Sequence, residues 1–506
     1  MTPMTRPPLA HAPRLSLMAV VGLLATACTT VQVDVPPTRV QAPDTFANAP
    51  ARGDEQALDP SLQRWWQDVR DPTLTRLIEQ GLQANADIRV AAARVQEARA
   101  VVTQAESALY PTLEAFGFGS RTHTDRAGVS LPSVNVPAAL PNLPVPLPAL
   151  PTLPQPQVPM SSYSGYGFAA AWEVDLFGAR RSDAEAARQA ALAHEERLHA
   201  AQMMVAGDIA ASYIEARALE RRIDVLQRSL QAARQMQRYA QGRFEAGQAT
   251  RLDVDRVRAQ IEALQGNVAP LDNLLQSRLR RLAVLTGQTP ESMGPLPRPD
   301  AQAPADGSVI PQALPSLLPS DVLERRPDVR GSAQVVRAMA ARLGSAKADL
   351  LPRFYVGFLA NDGRIEIGDL GSSGRFLSWG AGLRLPIFEA GRIRARIRAS
   401  DAQLDAAVVQ YEQAVLTALE DVENAYGARR ALDQRSTQLR TAWQTGTQGA
   451  RHAQRLFEEG NGLLQSAIEA RLGSLQREDE LIQAETARAL VTVALYKAVG
   501  GGWSAP

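Results

Sequence analysis

Residues 86–113 read ADIRVAAARVQEARAVVTQAESALYPTL, and residues 327–354 read PDVRGSAQVVRAMAARLGSAKADLLPRF. Laid over each other without a gap, Asp87 falls on Asp328, Ala105 on Ala346 and Pro111 on Pro352. Each copy runs on into an alternating aromatic stretch, a second such stretch ending in Phe177 or Phe388, and a long proline-free helical segment. The correspondence persists further along: Asp208 and Tyr213 match Asp421 and Tyr426, and Phe244-Glu245-x-Gly247 matches Phe457-Glu458-x-Gly460. A duplicated helix–strand–strand–helix unit cannot close its own sheet, so the pattern points to assembly with other chains.

The strands alternate with period two. Across 163–177, Tyr166, Phe168, Ala170, Trp172 and Val174 share one face; Gly165, Gly167, Ala169, Ala171, Glu173 and Asp175 share the other. In the second copy, Leu377, Trp379, Ala381, Leu383, Leu385 and Ile387 alternate with Ser378, Gly380, Gly382 and Arg384, and Phe354, Val356 and Phe358 share a face of 353–361. An apolar face backed by small and charged residues suits a barrel strand between lipid and water, and also a soluble sheet packed on one side. An export signal favours the barrel strand. The N-terminus carries Arg6, His11 and Arg14, an apolar run from Leu17 to Ala27, and then Cys28, the only cysteine of the 506 residues. That run is too short to span a bilayer and has the layout of a secretory signal. It resembles a lipoprotein signal cleaved before a Cys that is then acylated, although Ala25 stands where Leu is usual. No other apolar run is long enough for a transmembrane helix, so a membrane crossing falls to the strands.

Between Cys28 and residue 60 the chain is rich in Pro, Ala and Asp and reads as an extended tether. The Pro-rich stretch 131–159 excludes helix and central strand and reads as an external loop. The two long segments carry steps of three and four: Ile209, Ser212, Ala216, Leu219, Ile223, Leu226, Leu230 and Ala233 ascending, with Val257, Ile261, Leu264, Val268 and Leu271 returning. Tyr411, Val415, Ala418, Val422 and Ala425, then Ile468, Leu472, Leu475 and Ile482, repeat the device. Steps of this kind over many turns mean coiled-coil packing, and a helix of about 60 residues reaches about 90 Å. Pro270 is expected to kink the first return. Each hairpin turns at a glycine, and Thr250 with Asp253 has capping-box spacing. The expected organisation is a signal at 1–27 and a tether at 28–60. A first repeat at 61–290 has strands at 111–121 and 163–177 and a hairpin at 182–286. After a linker at 291–326, a second repeat at 327–506 has strands at 353–361 and 375–388 and a hairpin at 392–499.

Charge and chemistry are uninformative by design. The formal charge is +1, and −1 once Arg6 and Arg14 leave with the signal, so nothing points to nucleic acid. Five histidines (His11, His123, His194, His199, His452) make no metal spacing, and no glycine-rich phosphate loop precedes a helix. No enzyme, metal or cofactor is expected, apart from covalent lipid on Cys28. A pore-free coiled-coil scaffold anchored by Cys28 remains an alternative at this point.

Six segments in order resemble the outer membrane factors of the TolC and OprM type, in the NodT-like lipoprotein branch. They are WWQDVRDPTLTRLIEQGLQANADI (65–88), WEVDLFG (172–178), RFEAGQATRLDV (243–254), ERRPDVR (324–330), LRLPIFEAGR (383–392) and YKAVGGGW (496–503). The resemblance implies a mainly α fold with a membrane β-barrel part. Each chain of a homotrimer gives four strands to a twelve-stranded barrel in outer membrane lipid, and its helices build a coiled-coil α-barrel. It implies the exit duct of a tripartite efflux pump, joined by a periplasmic membrane-fusion adaptor and an inner-membrane transporter of the RND, MFS or ABC class. A duct for one-step protein secretion is the close alternative. The resemblance places adaptor docking at Gly247 and Gly460 and the gate at Asp253, Ser466 and Glu469. The family's paired acids after the second glycine are reduced here to Glu469, with Ser466 in place of the other, and Gly462 replaces the usual basic residue. Glu173, Asp175 and Arg384 are expected to line the barrel lumen.

Overall fold

A computed structural model describes residues 31, 33–49, 60–123, 160–297, 317–367 and 370–503. Cys28 and the Pro-rich stretch 131–159 lie outside the described residues. After a 3-10 segment at Pro60–Gln67, the chain forms α1 (Pro72–Ala84), α2 (Ala86–Ser107), β1 (Thr112–His123), β2 (Met160–Val174), α3 (Ala179–Glu245), α4 (Arg251–Gly266) and α5 (Val268–Leu285). The plan then repeats as α6 (Pro319–Arg325), α7 (Pro327–Ala348), β3 (Arg353–Ile367), β4 (Leu370–Arg384), α8 (Arg392–Glu458) and α9 (Leu464–Ala498). The duplication shows in the lengths: α2 and α7 have 22 residues each, and α3 and α8 have 67.

Two compact units emerge. One comprises residues 1–37, 97–191 and 334–409, and holds the sheet; the other comprises 38–96, 192–333 and 410–506.

In the first unit the strands form one antiparallel sheet in the order β1-β2-β3-β4, which leaves an edge of β1 and an edge of β4 unpaired within the chain. Pro111 and Pro352 stand directly before β1 and β3, where a missing N–H costs the ladder nothing. Tyr166, Phe168, Trp172, Leu377, Trp379 and Leu383 are exposed on one face, while Ala169 and Tyr355 are buried on the other. Gly167 is required by close approach, since a Cβ there would stand 2.4 Å from the Ala360 carbonyl oxygen. The strand ends differ from the sequence expectation. β2 stops at Val174, where Leu176 N–H turns back to the Val174 carbonyl at 2.9 Å, so Asp175 lies beyond the ladder. β4 stops at Arg384, two residues before Pro386, and begins five residues earlier than expected. β3 runs to Ile367 because NDGRIEI pairs with LGSSGRF across the ladder, a polar stretch whose alternation was hidden.

The second unit holds the main apolar core. Trp65, Leu74, Ile78, Ile209, Tyr213, Leu282, Val322, Val422, Val493, Leu495 and Tyr496 are among its buried members, and Trp65 stacks on Tyr496 at 5.1 Å. Asp71 ties the first repeat to it. One carboxylate oxygen accepts the Thr73 and Leu74 N–H groups at the start of α1, and the other accepts the Tyr213 hydroxyl at 2.6 Å. Burial and this bond to Asp71 push the Tyr213 phenol well above its ordinary pKa. The second repeat is tied differently: Arg326 forks onto Asp328 at 2.7 Å and reaches Asp421 at 3.0 Å. The return arm breaks between Gly266 and Val268 rather than at Pro270, because the proline ring opposes the carbonyl four residues back. The tether is also not free throughout its length. Arg39 N–H donates to Glu412 and Ala47 N–H to Glu423, each at 2.7 Å, and the Phe46 ring packs 6.0 Å from Tyr426.

Candidate functional site

The hairpin tips follow from two glycines. Gly247 (φ 71°) and Gly460 (φ 78°) take the left-handed conformation that ends α3 and α8. The same bonds close both turns: Gly247 N–H to Phe244 O at 3.0 Å and Gln248 N–H to Arg243 O at 2.8 Å, then Gly460 N–H to Phe457 O at 3.0 Å and Asn461 N–H to Leu456 O at 2.8 Å. After the first turn, Thr250 caps α4 and Asp253 returns the bond to the Thr250 N–H at 2.9 Å. That backbone bond, with the Thr250 hydroxyl, holds the Asp253 carboxyl below the usual carboxylate range. After the second turn Ser466 and Glu469 are exposed, and Gln465 donates to Glu469 at 3.0 Å. Ile468, between them, is buried with Ala232 and Met236, against Tyr239, Val257, Leu464 and Leu472. The fold thus brings the two tips together through apolar contacts, with Ser466 and Glu469 left on the wet side of α9.

Higher on the same helices lies a set of ion pairs that periodicity did not single out. Arg228 forks onto Glu478 at 2.6 and 3.1 Å, and Arg222 onto Asp479 at 2.7 and 3.3 Å, binding α9 to α3. Glu485 accepts from Arg221 on α3 and from Arg440 on α8, at 3.2 and 2.7 Å. The α3–α9 partners Arg228 and Glu478 are 250 residues apart in sequence, and Arg222 and Asp479 are 257 apart. Their only local signal is an arginine run on one helix and an acidic run (Glu478, Asp479, Glu480) on another.

At the helix ends of the sheet, Glu173 in β2 accepts from Arg180 at 2.8 Å and lies 3.6 Å from Arg353. Asp175 accepts the Arg181 N–H at 2.8 Å and faces the Arg181 guanidinium at 3.4 Å, which turns the chain into α3. Arg384 stands directly opposite Arg353 across the β3–β4 ladder. The structure therefore joins Glu173 to the Arg353 side of this cluster and sets Asp175 apart from it. Asp349, which sequence reasoning passed over, binds Arg353 and also Arg396, the latter at 2.7 Å. Among the described residues no three His, Cys, Asp or Glu side chains gather to hold a metal, and no helix is long and apolar enough to cross a membrane.

Comparison with known proteins adds to this geometry. The sequence matches the family described as "Outer membrane efflux protein" over residues 77–288 and 318–501. It is 27% identical over 501 residues to the probable efflux pump outer membrane protein TtgC of Pseudomonas putida, covering 96% of this chain and 95% of that one. It is 26% identical over 457 residues to nodulation protein T of Rhizobium leguminosarum bv. trifolii, covering 88% and 89%. Among solved structures, the outer-membrane channel OprN superposes with a TM-score of 0.77 at 27% identity, covering 94% of this chain and 99% of that one.

Proposed function

Since this chain belongs to the outer membrane efflux protein family, we propose that it conducts small molecules such as drugs through a duct closed by three copies of itself and gated at its hairpin tips. It is an outer membrane channel, the exit duct of a tripartite efflux system. Members of the family are channels rather than enzymes. The observation that carries the trimer is the four-stranded sheet with an apolar exposed face and two unpaired edges. Four strands of this kind are unstable alone in lipid, and twelve close.

Passage is gated conduction. The duct supplies no energy; an inner-membrane transporter does, through a periplasmic adaptor that docks on the turns at Gly247 and Gly460. The closed state is held by α9, whose Glu478 and Asp479 are clasped by Arg228 and Arg222 of α3. Withdrawal of α9 from α3 opens the tip. Three copies of Glu469, brought near one axis, repel one another and attract a cation. Asp253 contributes at the gate by fixing the start of α4. Lipid on Cys28 anchors the N-terminus to the outer membrane.

The test is the native mass of protein extracted from outer membranes in mild detergent, followed by its conductance in planar bilayers. A dissociation-resistant trimer that carries current supports this reading. A monomer released without detergent overturns it.

A further inference from the structure

The two repeats differ in charge where a strand hands over to a long helix. In the first, the arginines that open α3 are matched by acids: Arg180 by Glu173 and Arg181 by Asp175. With Phe388 laid on Phe177, the second repeat has Arg384 in place of Glu173 and Pro386 in place of Asp175. Yet α8 opens RIRARIR (392–398), four arginines in the turns where the helix dipole is already positive, with no acid in the first turn. The nearest acid before the helix, Glu389, is engaged with the Ile393 N–H at 2.7 Å.

Arg353, Arg384, Arg392, Arg396 and Asp349 line a cavity of about 210 Å³ at this junction. Four guanidiniums face one carboxylate there, an excess of three positive charges. Asp349 is shared by Arg353 and Arg396, and Glu173 by Arg353 and Arg180. Among the described residues, Arg384 and Arg392 have no ion-pair partner. Because directly paired residues share a face, Arg353 and Arg384 lie opposite the side that carries Phe354 and the exposed Leu383. The cavity therefore belongs to the water side of the sheet and not to its lipid side.

We infer that this cavity is an oxyanion site. It binds a phosphate-type group from the aqueous lumen between the forks of Arg384 and Arg392, and so gives the duct a station for anionic cargo near its barrel end. Guanidiniums grip such groups through paired N–H bonds, and a multiply charged oxyanion satisfies the excess that the fold leaves unmatched. The lumen placement rests on the duct reading above; the binding does not.

Titration calorimetry with pyrophosphate on the detergent-purified protein reads binding without any current. Single-channel recording then reads block by pyrophosphate, in bilayers of neutral lipid and in bilayers containing phosphatidylglycerol. One pyrophosphate per chain is expected, with block in both lipids. Affinity should fall by about tenfold or more in Arg384→Glu, which installs the acid that the first repeat carries. Arg392→Gln, a milder change, should weaken binding in the same direction. No heat of binding to a conducting wild-type protein overturns the site. Equal affinity in both variants does the same. Competition by phosphatidylglycerol would make it a headgroup site and overturn the lumen placement. Loss of the trimer in Arg384→Glu would mean that a neighbouring copy's acid, such as Glu114 on the same face of the open β1 edge, fills the cavity instead. Binding without any current would overturn the duct reading and leave the oxyanion site standing.

Discussion

Replacing Arg222 and Arg228 with alanine removes four guanidinium hydrogen bonds that hold α9 against α3. The side chains of the Arg228–Glu478 pair are 38% and 21% exposed, and both in the Arg222–Asp479 pair are 27% exposed. Partial exposure means solvent screening, so each pair is worth about 0.5–1 kcal/mol despite its forked geometry. Two pairs give about 1–2 kcal/mol per chain, and concerted opening of three chains about 3–6 kcal/mol. On that arithmetic the ratio of open to closed channel rises by a factor on the order of 10² to 10⁴. Planar bilayer recording at low salt should show the double variant with longer openings or a larger mean current. The difference should shrink toward 1 M salt, where the Debye length is about 3 Å. The exchanged pair Arg228→Glu with Glu478→Arg should restore closure in part, because it returns the attraction in reversed order. Unchanged current at low salt would refute the clasp. So would alanine variants of Arg228 and Glu478, made singly and together, whose effects simply add, since residues in contact must show coupling.

Glu469→Gln should lower cation preference in reversal-potential measurements, and unchanged selectivity would remove that residue from the gate. Tyr213→Phe deletes the 2.6 Å bond to Asp71 and should cost about 1–3 kcal/mol, read as a lower melting temperature of the detergent-solubilised protein; an unchanged melt would deny the bond a structural role. Gly167→Val drives a side chain into the Ala360 carbonyl and should abolish assembly in outer membranes, seen as loss of the trimer band; normal assembly would show that the β2–β3 spacing is wrong. Burial, with the charge of Glu423 adding to it, pushes the Tyr426 phenol from 10.0 up to about 12, although a Leu317 backbone bond opposes the shift. A raised pKa means stability that is fully present below pH 10 and lost as pH climbs toward about 12. Tyr426→Phe should flatten that alkaline limb, and an unaltered limb would point to another group.

Much of this protein is legible along the chain because its regular elements announce themselves locally. The repeat of 86–113 at 327–354, the three-and-four steps from Ile209 to Leu230 and the alternation of Tyr166, Phe168 and Trp172 each need only a short window, since helix and strand periods are set by the backbone. Glycines at 247 and 460 mark the turns for the same reason, as only a residue without Cβ takes that φ cheaply. Tertiary structure decided what depends on a distant partner. The clasp of Arg228 on Glu478 joins helices of different repeats, and an arginine on a helix surface looks the same in sequence whether it is clasped or solvated. β3 extends through the polar NDGRIEI because β4 offers it a ladder, and β2 ends at Val174 because the Leu176 N–H turns back onto the Val174 carbonyl. The Arg384 cavity is the clearest case. Its charge excess arises from which acids the fold delivers to that junction, and pairing across a sheet is a property of spacing in three dimensions that no local period encodes.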